Sequence, residues 1–161
     1  MNIKIVGIEK ESDGGRHIVK IPGCTNNCAA CPFAELRNQP VQVLDVCALA
    51  DELYYTSRTK KVLLTGEALA QPRQAWLLAR ILEGLGFNVW ARTCYTWEQI
   101  QKDDVLAHSI RYFDTLIDGR FEPTLADSTL KHRLSTNQRI IDVRLSLLDR
   151  RIVLKKDLMG L

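Results

Sequence analysis

The sequence predicts an α/β fold with a mostly parallel sheet, because short apolar strands alternate with amphipathic helices along the chain. A buried strand over residues 62–64 is followed by a helix that begins at Pro72. A second strand over 87–93 precedes a helix that begins with a capping box at Thr96, and a third strand follows over 113–117. This alternation favours parallel strands joined by right-handed crossovers.

The N-terminal part of the chain predicts a short hairpin. Residues 2–8 and 17–21 have the composition of strands, and the Asp-Gly-Gly sequence at 13–15 provides a turn between them. A helix is expected over 45–55, with Asp45 as its N-cap, because its apolar residues recur at helical spacing.

Composition indicates an ordinary globular protein. The chain has 161 residues, of which 46% are hydrophobic and 25% charged, so we expect one domain over residues 1–161. The net charge of +3 is small and its carriers are scattered, which argues against a nucleic-acid partner. No apolar run approaches the roughly 20 residues of a membrane-spanning helix, so no membrane partner is expected.

Three cysteines lie close together, at Cys24, Cys28 and Cys31, in the spacing C-x3-C-x2-C. They fall in a predicted loop, residues 22–33, which begins where Pro and Gly end the second strand. A cubane iron–sulfur cluster contains four irons, so three thiolates leave one iron open to a ligand that is not protein. The spacing therefore indicates chemistry at a cluster.

Two structural roles for these cysteines are less favoured. A zinc site needs four ligands, usually from two paired half-sites, and the remaining candidates stand alone at Cys47, Cys94, His17, His108 and His132. A disulfide framework is not expected, because the cysteine count of five is odd and the N-terminus does not resemble a signal peptide. We expect a reducing, cytoplasmic location.

Several segments together resemble the radical S-adenosylmethionine (SAM) superfamily, and within it the activases of anaerobic ribonucleoside-triphosphate reductases. The cysteine motif resembles the cluster motif of the superfamily, and Thr65-Gly66-Glu67 resembles its Gly-Gly-Glu motif. Three further segments resemble the activase branch: residues 89–98, 114–121 and 135–142. The order and number of these motifs give the resemblance its weight.

The resemblance implies an enzyme that holds a 4Fe–4S cluster and SAM. In that superfamily the reduced cluster cleaves SAM to give a 5′-deoxyadenosyl radical, and activases use it to install a glycyl radical on their reductase. The expected partners are the large subunit of an anaerobic ribonucleoside-triphosphate reductase and a flavodoxin or ferredoxin electron donor. A complete (β/α)8 barrel needs about 250 residues, so we expect a partial (β/α) barrel of radical SAM type.

The resemblance also assigns roles to single residues. Glu67 would accept a hydrogen bond from the SAM amino group, and Gly66 would let the backbone pass close to the cofactor. No catalytic side chain is expected beyond the cluster and SAM. Thr93 and Asn137 are expected to contact the cofactor as well. Asp118 and Arg120 are expected to contact the partner protein.

Other functions remain open at this point. One is a radical SAM enzyme acting on a small molecule, as in modified-purine biosynthesis. Another is a non-catalytic iron–sulfur or zinc module, which would need a fourth protein ligand from Cys47, Cys94 or a histidine. Activases usually have glycine at the position of Cys94, and the sequence leaves open whether this thiol is functional or only a small packed side chain.

Overall fold

The fold is mixed α/β, in a computed structural model that describes residues 1–24, 26, 28 and 30–161. The predicted cluster loop, 22–33, therefore includes three positions outside the described residues. In chain order the strands are β1 (Asn2–Ile5), β2 (Gly7–Ser12), β3 (Arg16–Ile21), β4 (Gln42–Asp45), β5 (Lys61–Gly66), β6 (Asn88–Arg92), β7 (Thr115–Asp118) and β8 (Arg139–Asp142). The helices are α1 (Val46–Thr56), α2 (Pro72–Gly84), α3 (Trp97–Gln101), α4 (Asp104–Ser109) and α5 (Val143–Asp149).

The main sheet has six strands in the order β2-β3-β5-β6-β7-β8. Strands β3, β5, β6 and β7 are parallel to one another, whereas β2 and β8 pair antiparallel at the two edges. The mostly parallel sheet is thus confirmed. The described strands do not close into a barrel, because β2 and β8 lie at opposite ends of the strand order.

The N-terminal hairpin is present, but the single strand expected over residues 2–8 is wrong. The hairpin consists of β2 and β3, joined by a short 3-10 turn at Asp13–Gly15. The chain changes sheets near Val6, because β1 pairs antiparallel with β4 in a separate two-stranded sheet. Since β4 lies about 40 residues further along the chain, no local pattern indicated this pairing.

The predicted helix starts are confirmed by their caps. Asp45 accepts hydrogen bonds from the backbone N–H groups of the first turn of α1, and Pro72 is the first residue of α2. Thr96 forms the expected capping box with Gln99 at the start of α3. Local chemistry therefore fixes where these helices begin.

The core lies on the helix-bearing face of the sheet. Side chains of α1 to α4 pack there against alternate residues of the central strands, such as Val62 and Leu64 of β5. The opposite face carries a smaller cluster of Leu63, Trp90, Ile117 and Ile140, covered by C-terminal residues. In parallel sheets the strand ends form a common edge, so the loops after β3, β5, β6 and β7 are brought together.

None of the helices in the described part of the chain has the length and apolar character needed to cross a bilayer.

Gly66, the last residue of β5, is predicted to be intolerant of a side chain. Its φ of +82° suits glycine, and a Cβ there would collide with the carbonyl oxygen of Ile21 and approach Leu36 Cδ1 to 3.0 Å. We expect Gly66→Ala to lower the free energy of unfolding by roughly 3 kcal/mol, measured by urea denaturation.

Gly86 provides a matched control. Its φ is +84°, but a Cβ there would meet nothing within 4 Å. Gly86→Ala should therefore cost only about 1 kcal/mol, from backbone strain alone. Equal losses for the two variants would contradict the close approach at Gly66.

Candidate metal and cofactor site

The three motif cysteines lie at the carboxyl edge of the sheet. Cys24 follows the end of β3 by three residues, and all three thiols are reduced and half-buried. Backbone hydrogen bonds shape the second half of the loop, because Cys31 N donates to Cys28 O and Ala34 N donates to Cys31 O. A short 3-10 helix, Ala34–Arg37, follows at once.

Two adjoining cavities collect most of the residues that the sequence singled out. One is lined by Cys24 and Cys31 together with Gly66, Glu67 and Cys94. The other is lined by Cys28 and Cys31 together with Gly66, Thr93 and Cys94. The donor set fits an iron–sulfur cluster, since every motif thiol borders one of the cavities and thiolates are the usual ligands of such clusters.

Glu67 is buried and accepts three hydrogen bonds from neighbouring donors. Its Oε1 accepts hydrogen bonds from Thr93 Oγ1 at 2.7 Å and Leu69 N at 3.0 Å, and its Oε2 accepts one from Cys94 N at 2.7 Å. Burial raises the pKa of Glu67 above its usual value, although these three donors oppose the shift. The carboxyl group therefore fixes the loop after β6 to the end of β5.

Arg120 contacts the cysteine loop directly. Its Nε and Nη2 lie 3.4 Å and 3.5 Å from Cys28 Sγ, and hydrogen bonding to this sulfur raises the pKa of Arg120. Asn137 holds the backbone of Arg120 in place, because Asn137 Nδ2 donates to Arg120 O at 2.8 Å. Asn137 thus reaches the site through Arg120, and its contact with a cofactor stays a prediction.

Asp118 is held inside the protein. Its side chain is 1% exposed and accepts hydrogen bonds from Trp97 N and from the guanidinium of Arg139 at 2.6 Å. Arg139 also binds Glu98 and lowers the pKa of that carboxyl to about 2. A contact between Asp118 and a partner protein, which stays a prediction, would require this network to open.

Sequence reasoning missed Arg92, which lines the cavity beside Cys28 and Cys31. Its side chain is buried, and burial lowers its pKa to about 10. Nη2 donates to His132 O at 2.8 Å, but Nε and Nη1 have no hydrogen-bond partner among the described residues. The sequence did offer one indication of this residue: Arg92 is a charged residue at the end of a strand whose other residues are mostly apolar.

The guanidinium of Arg92, which has no carboxylate partner and two nitrogens without a hydrogen bond among the described residues, leads to a stability prediction for the metal-free protein. A buried charge without a carboxylate partner is costly, so Arg92→Met should raise the free energy of unfolding by about 1 kcal/mol in anaerobic urea denaturation. Arg133 is the control: among the described residues it also lacks an ion pair and its Nε has no partner, but Nη1 and Nη2 both donate to carbonyl oxygens, of Thr136, Gln138 and Met159. Arg133→Met should lower stability by about 2 kcal/mol, and a similar loss at Arg92 would contradict the unpaired state.

Comparison with known proteins places the chain among iron–sulfur proteins. The family described as a 4Fe-4S single cluster domain matches residues 11–141 of the chain. The anaerobic ribonucleoside-triphosphate reductase-activating protein of Pasteurella multocida (strain Pm70) is 28% identical over 136 residues, covering 78% of this chain and 86% of that protein. No solved structure matches significantly. The resemblance seen in the sequence is confirmed, and the chain belongs to the 4Fe-4S single cluster domain family.

Proposed function

We propose that this protein is a radical SAM activase that installs a glycyl radical on an anaerobic ribonucleoside-triphosphate reductase. The observation that carries the proposal is the meeting of three cysteines with Gly66 and Glu67 at the carboxyl edge of a parallel sheet. The name of the Pasteurella multocida relative, which spans most of both chains, supports the branch.

In this proposal Cys24, Cys28 and Cys31 hold the cluster and leave one iron without a cysteine from the motif. When bound, the cluster and SAM supply an electron and a 5′-deoxyadenosyl radical, which removes a hydrogen from a glycine Cα. The protein's own contribution is to position the cofactor and to exclude water and stray hydrogen donors.

Glu67 can bind the cofactor without releasing its present partners. An ionised carboxylate offers about four lone-pair positions, and three are used by Thr93, Leu69 and Cys94. The fourth could accept a hydrogen bond from the amino group of SAM. Gly66, a second proposed cofactor residue, presents backbone to the same cavity and has no side chain to obstruct it. Thr93 and Asn137 stay proposed cofactor contacts.

The open sheet supports a protein substrate. We propose that it is the partial (β/α) barrel of the superfamily, with the gap between β2 and β8 unclosed by further strands in the described chain. A peptide loop of the reductase large subunit could then reach the cluster at the carboxyl edge of the sheet, where the two cavities lie. A flavodoxin or ferredoxin is the proposed electron donor.

Arg120 is proposed to stabilise the site electrostatically. A guanidinium that donates to a cluster sulfur offsets the negative charge of the thiolates, and both effects raise the reduction potential of a cluster. Arg92 places a second positive charge against the cavity lined by Cys28 and Cys31. Together they would favour the reduced cluster, which carries the larger negative charge.

A non-catalytic iron–sulfur module is the second candidate, because one observation favours it. The sulfur of Cys94 and a carboxylate oxygen of Glu67 lie within 4.8 Å of the sulfur of Cys24, so a fourth protein ligand is close at hand. A permanently closed cluster would not bind SAM, and the two functions therefore differ in whether SAM reaches the iron.

Anaerobic reconstitution with iron and sulfide tests the proposed function. We expect the electron paramagnetic resonance (EPR) signal of the reduced cluster to change on addition of SAM, with methionine and 5′-deoxyadenosine formed in the same sample. Replacing Cys24, Cys28 and Cys31 together by Ala should abolish the cluster, whereas Cys47→Ala, at an exposed position of α1, should retain it. A fully loaded cluster that neither responds to SAM nor cleaves it would favour the binding module.

The role of Arg120 predicts a change in potential. Arg120→Met should lower the reduction potential of the reconstituted cluster, since the hydrogen bonds to Cys28 Sγ and the positive charge are both lost. Potentiometric titration followed by EPR measures the shift. Arg144→Met, which removes exposed ion pairs to Glu83 and Asp114, is the control and should leave the potential unchanged. An unchanged potential for both variants would exclude the proposed role.

A further inference from the structure

The described part of the site contains four cysteines rather than the three of the motif. Cys94 lines the cavity that it shares with Cys24 and Cys31, and also the cavity that it shares with Cys28 and Cys31. Its sulfur belongs to a group with Cys24 and Glu67 in which the ligand atoms all lie within 4.8 Å of one another. Every motif cysteine therefore borders a cavity that Cys94 also borders.

The topology explains why Cys94 lies there. Strands β3, β5 and β6 are consecutive and parallel in the sheet, so their carboxyl ends form one edge. Cys24, Glu67 and Cys94 each follow the end of one of these strands within three residues. Three ligand-bearing residues from separate parts of the chain are thus placed side by side.

The position of Cys94 is fixed by its backbone. Its N–H donates to Glu67 Oε2 at 2.7 Å, and the preceding hydroxyl of Thr93 donates to Glu67 Oε1 at 2.7 Å. These bonds tie both residues to the buried carboxyl of Glu67, which is 4% exposed. A thiol held this way needs no loop movement to stay beside the cysteine motif.

Apart from Glu67, whose carboxylate already accepts three hydrogen bonds, no other described residue offers a comparable ligand. Cys47 is exposed on α1, and no histidine is among the residues that line the two cavities. His17, for example, is turned to Thr56 Oγ1 at 3.1 Å and to Glu11 N at 3.2 Å. Cys94 is therefore the natural candidate for the position that the motif leaves open.

We propose that Cys94 is a displaceable fourth cysteine ligand of the metal centre, bound to the iron that the motif leaves open until SAM replaces it. This rests on the cluster position proposed above. Thiolate binds iron strongly, so a sulfur beside an open iron competes with solvent for it. The exchange moves no electrons: the departing thiolate takes up a proton, and the amino group of SAM, which enters as an ammonium, gives one up as it binds.

The consequence is that Cys94 occupies the fourth iron in the resting protein, and that SAM takes this position when it binds. A closed cluster resists loss of its fourth iron, which protects it from oxidation between turnovers. The cost is that SAM must displace a ligand in order to bind. Cys94 would thus regulate the same site in which the proposed chemistry occurs.

Oxidative loss of iron tests the proposal without any activity measurement. Wild type, Cys94→Ala and Cys47→Ala are reconstituted anaerobically without SAM, matched for iron and sulfide, and treated with ferricyanide. The 3Fe–4S product is followed by EPR. We expect Cys94→Ala to form this product about tenfold faster than wild type, and Cys47→Ala to match wild type. Equal rates for all three proteins overturn the proposal.

Alkylation of the wild-type protein supplies a measurement that needs no variant. Burial raises the pKa of the Cys94 thiol, so with iodoacetamide and mass spectrometry Cys94 should react slowly but measurably in the metal-free protein. It should be protected at least a further tenfold in the loaded protein, while Cys47 reacts equally in both. Cys94 labelled equally fast in both forms overturns the proposal. Should Cys94→Ala fail to fold, Cys94→Gly, which restores the residue usual in activases, replaces it in the oxidation experiment.

The outcomes separate this proposal from the proposed function. A cluster that persists when Cys24, Cys28 and Cys31 are all replaced by Ala would place the metal elsewhere and defeat the proposed site as a whole. A cluster that needs the motif cysteines and responds to SAM, but is indifferent to Cys94, would defeat only the fourth-ligand proposal. A cluster that Cys94 protects but that does not respond to SAM would show that Cys94 is a permanent ligand. That result would overturn the proposal that SAM displaces Cys94.

Discussion

Glu67 is the residue on which the site depends, because its backbone and side chain together join the ends of three strands. The backbone N–H of Glu67 donates to Ile21 O at the end of β3, while Glu67 itself follows β5. Its side chain binds Thr93 and Cys94, which follow β6. Three loops that are far apart in sequence are therefore held in one arrangement, and in the proposed function the same carboxyl also faces the cofactor.

Charge distribution at the site follows from what the fold buries. Thiols and Glu67 bring potential negative charge to the strand ends, whereas Arg92 and Arg120 approach from the sheet and from the loop after β7. Arg92 has no carboxylate partner among the described residues, so its charge is uncompensated in the metal-free protein. An anionic metal centre would supply that compensation, which links the stability of the site to its occupancy.

Local sequence signals predicted part of the fold and part of the site. Helix starts at Asp45, Pro72 and Thr96 were predictable because caps act within a few residues. The separate β1–β4 sheet was not, because its strands are far apart in sequence and pairing registers are set by tertiary contacts. In the same way, the motif identified three cysteines, but only the adjacency of β5 and β6 placed Cys94 beside them.

The sequence by itself determined that this is an iron–sulfur protein, because the C-x3-C-x2-C spacing brings three thiols into one loop and needs no distant contact to be recognised. It likewise determined the alternation of strands and helices, since hydrophobic periodicity and capping are local. Tertiary structure alone decided which separated residues share the site. The unpaired Arg92, the buried Asp118 and the nearby sulfur of Cys94 depend on strand order, and strand order is fixed by packing across the whole sheet.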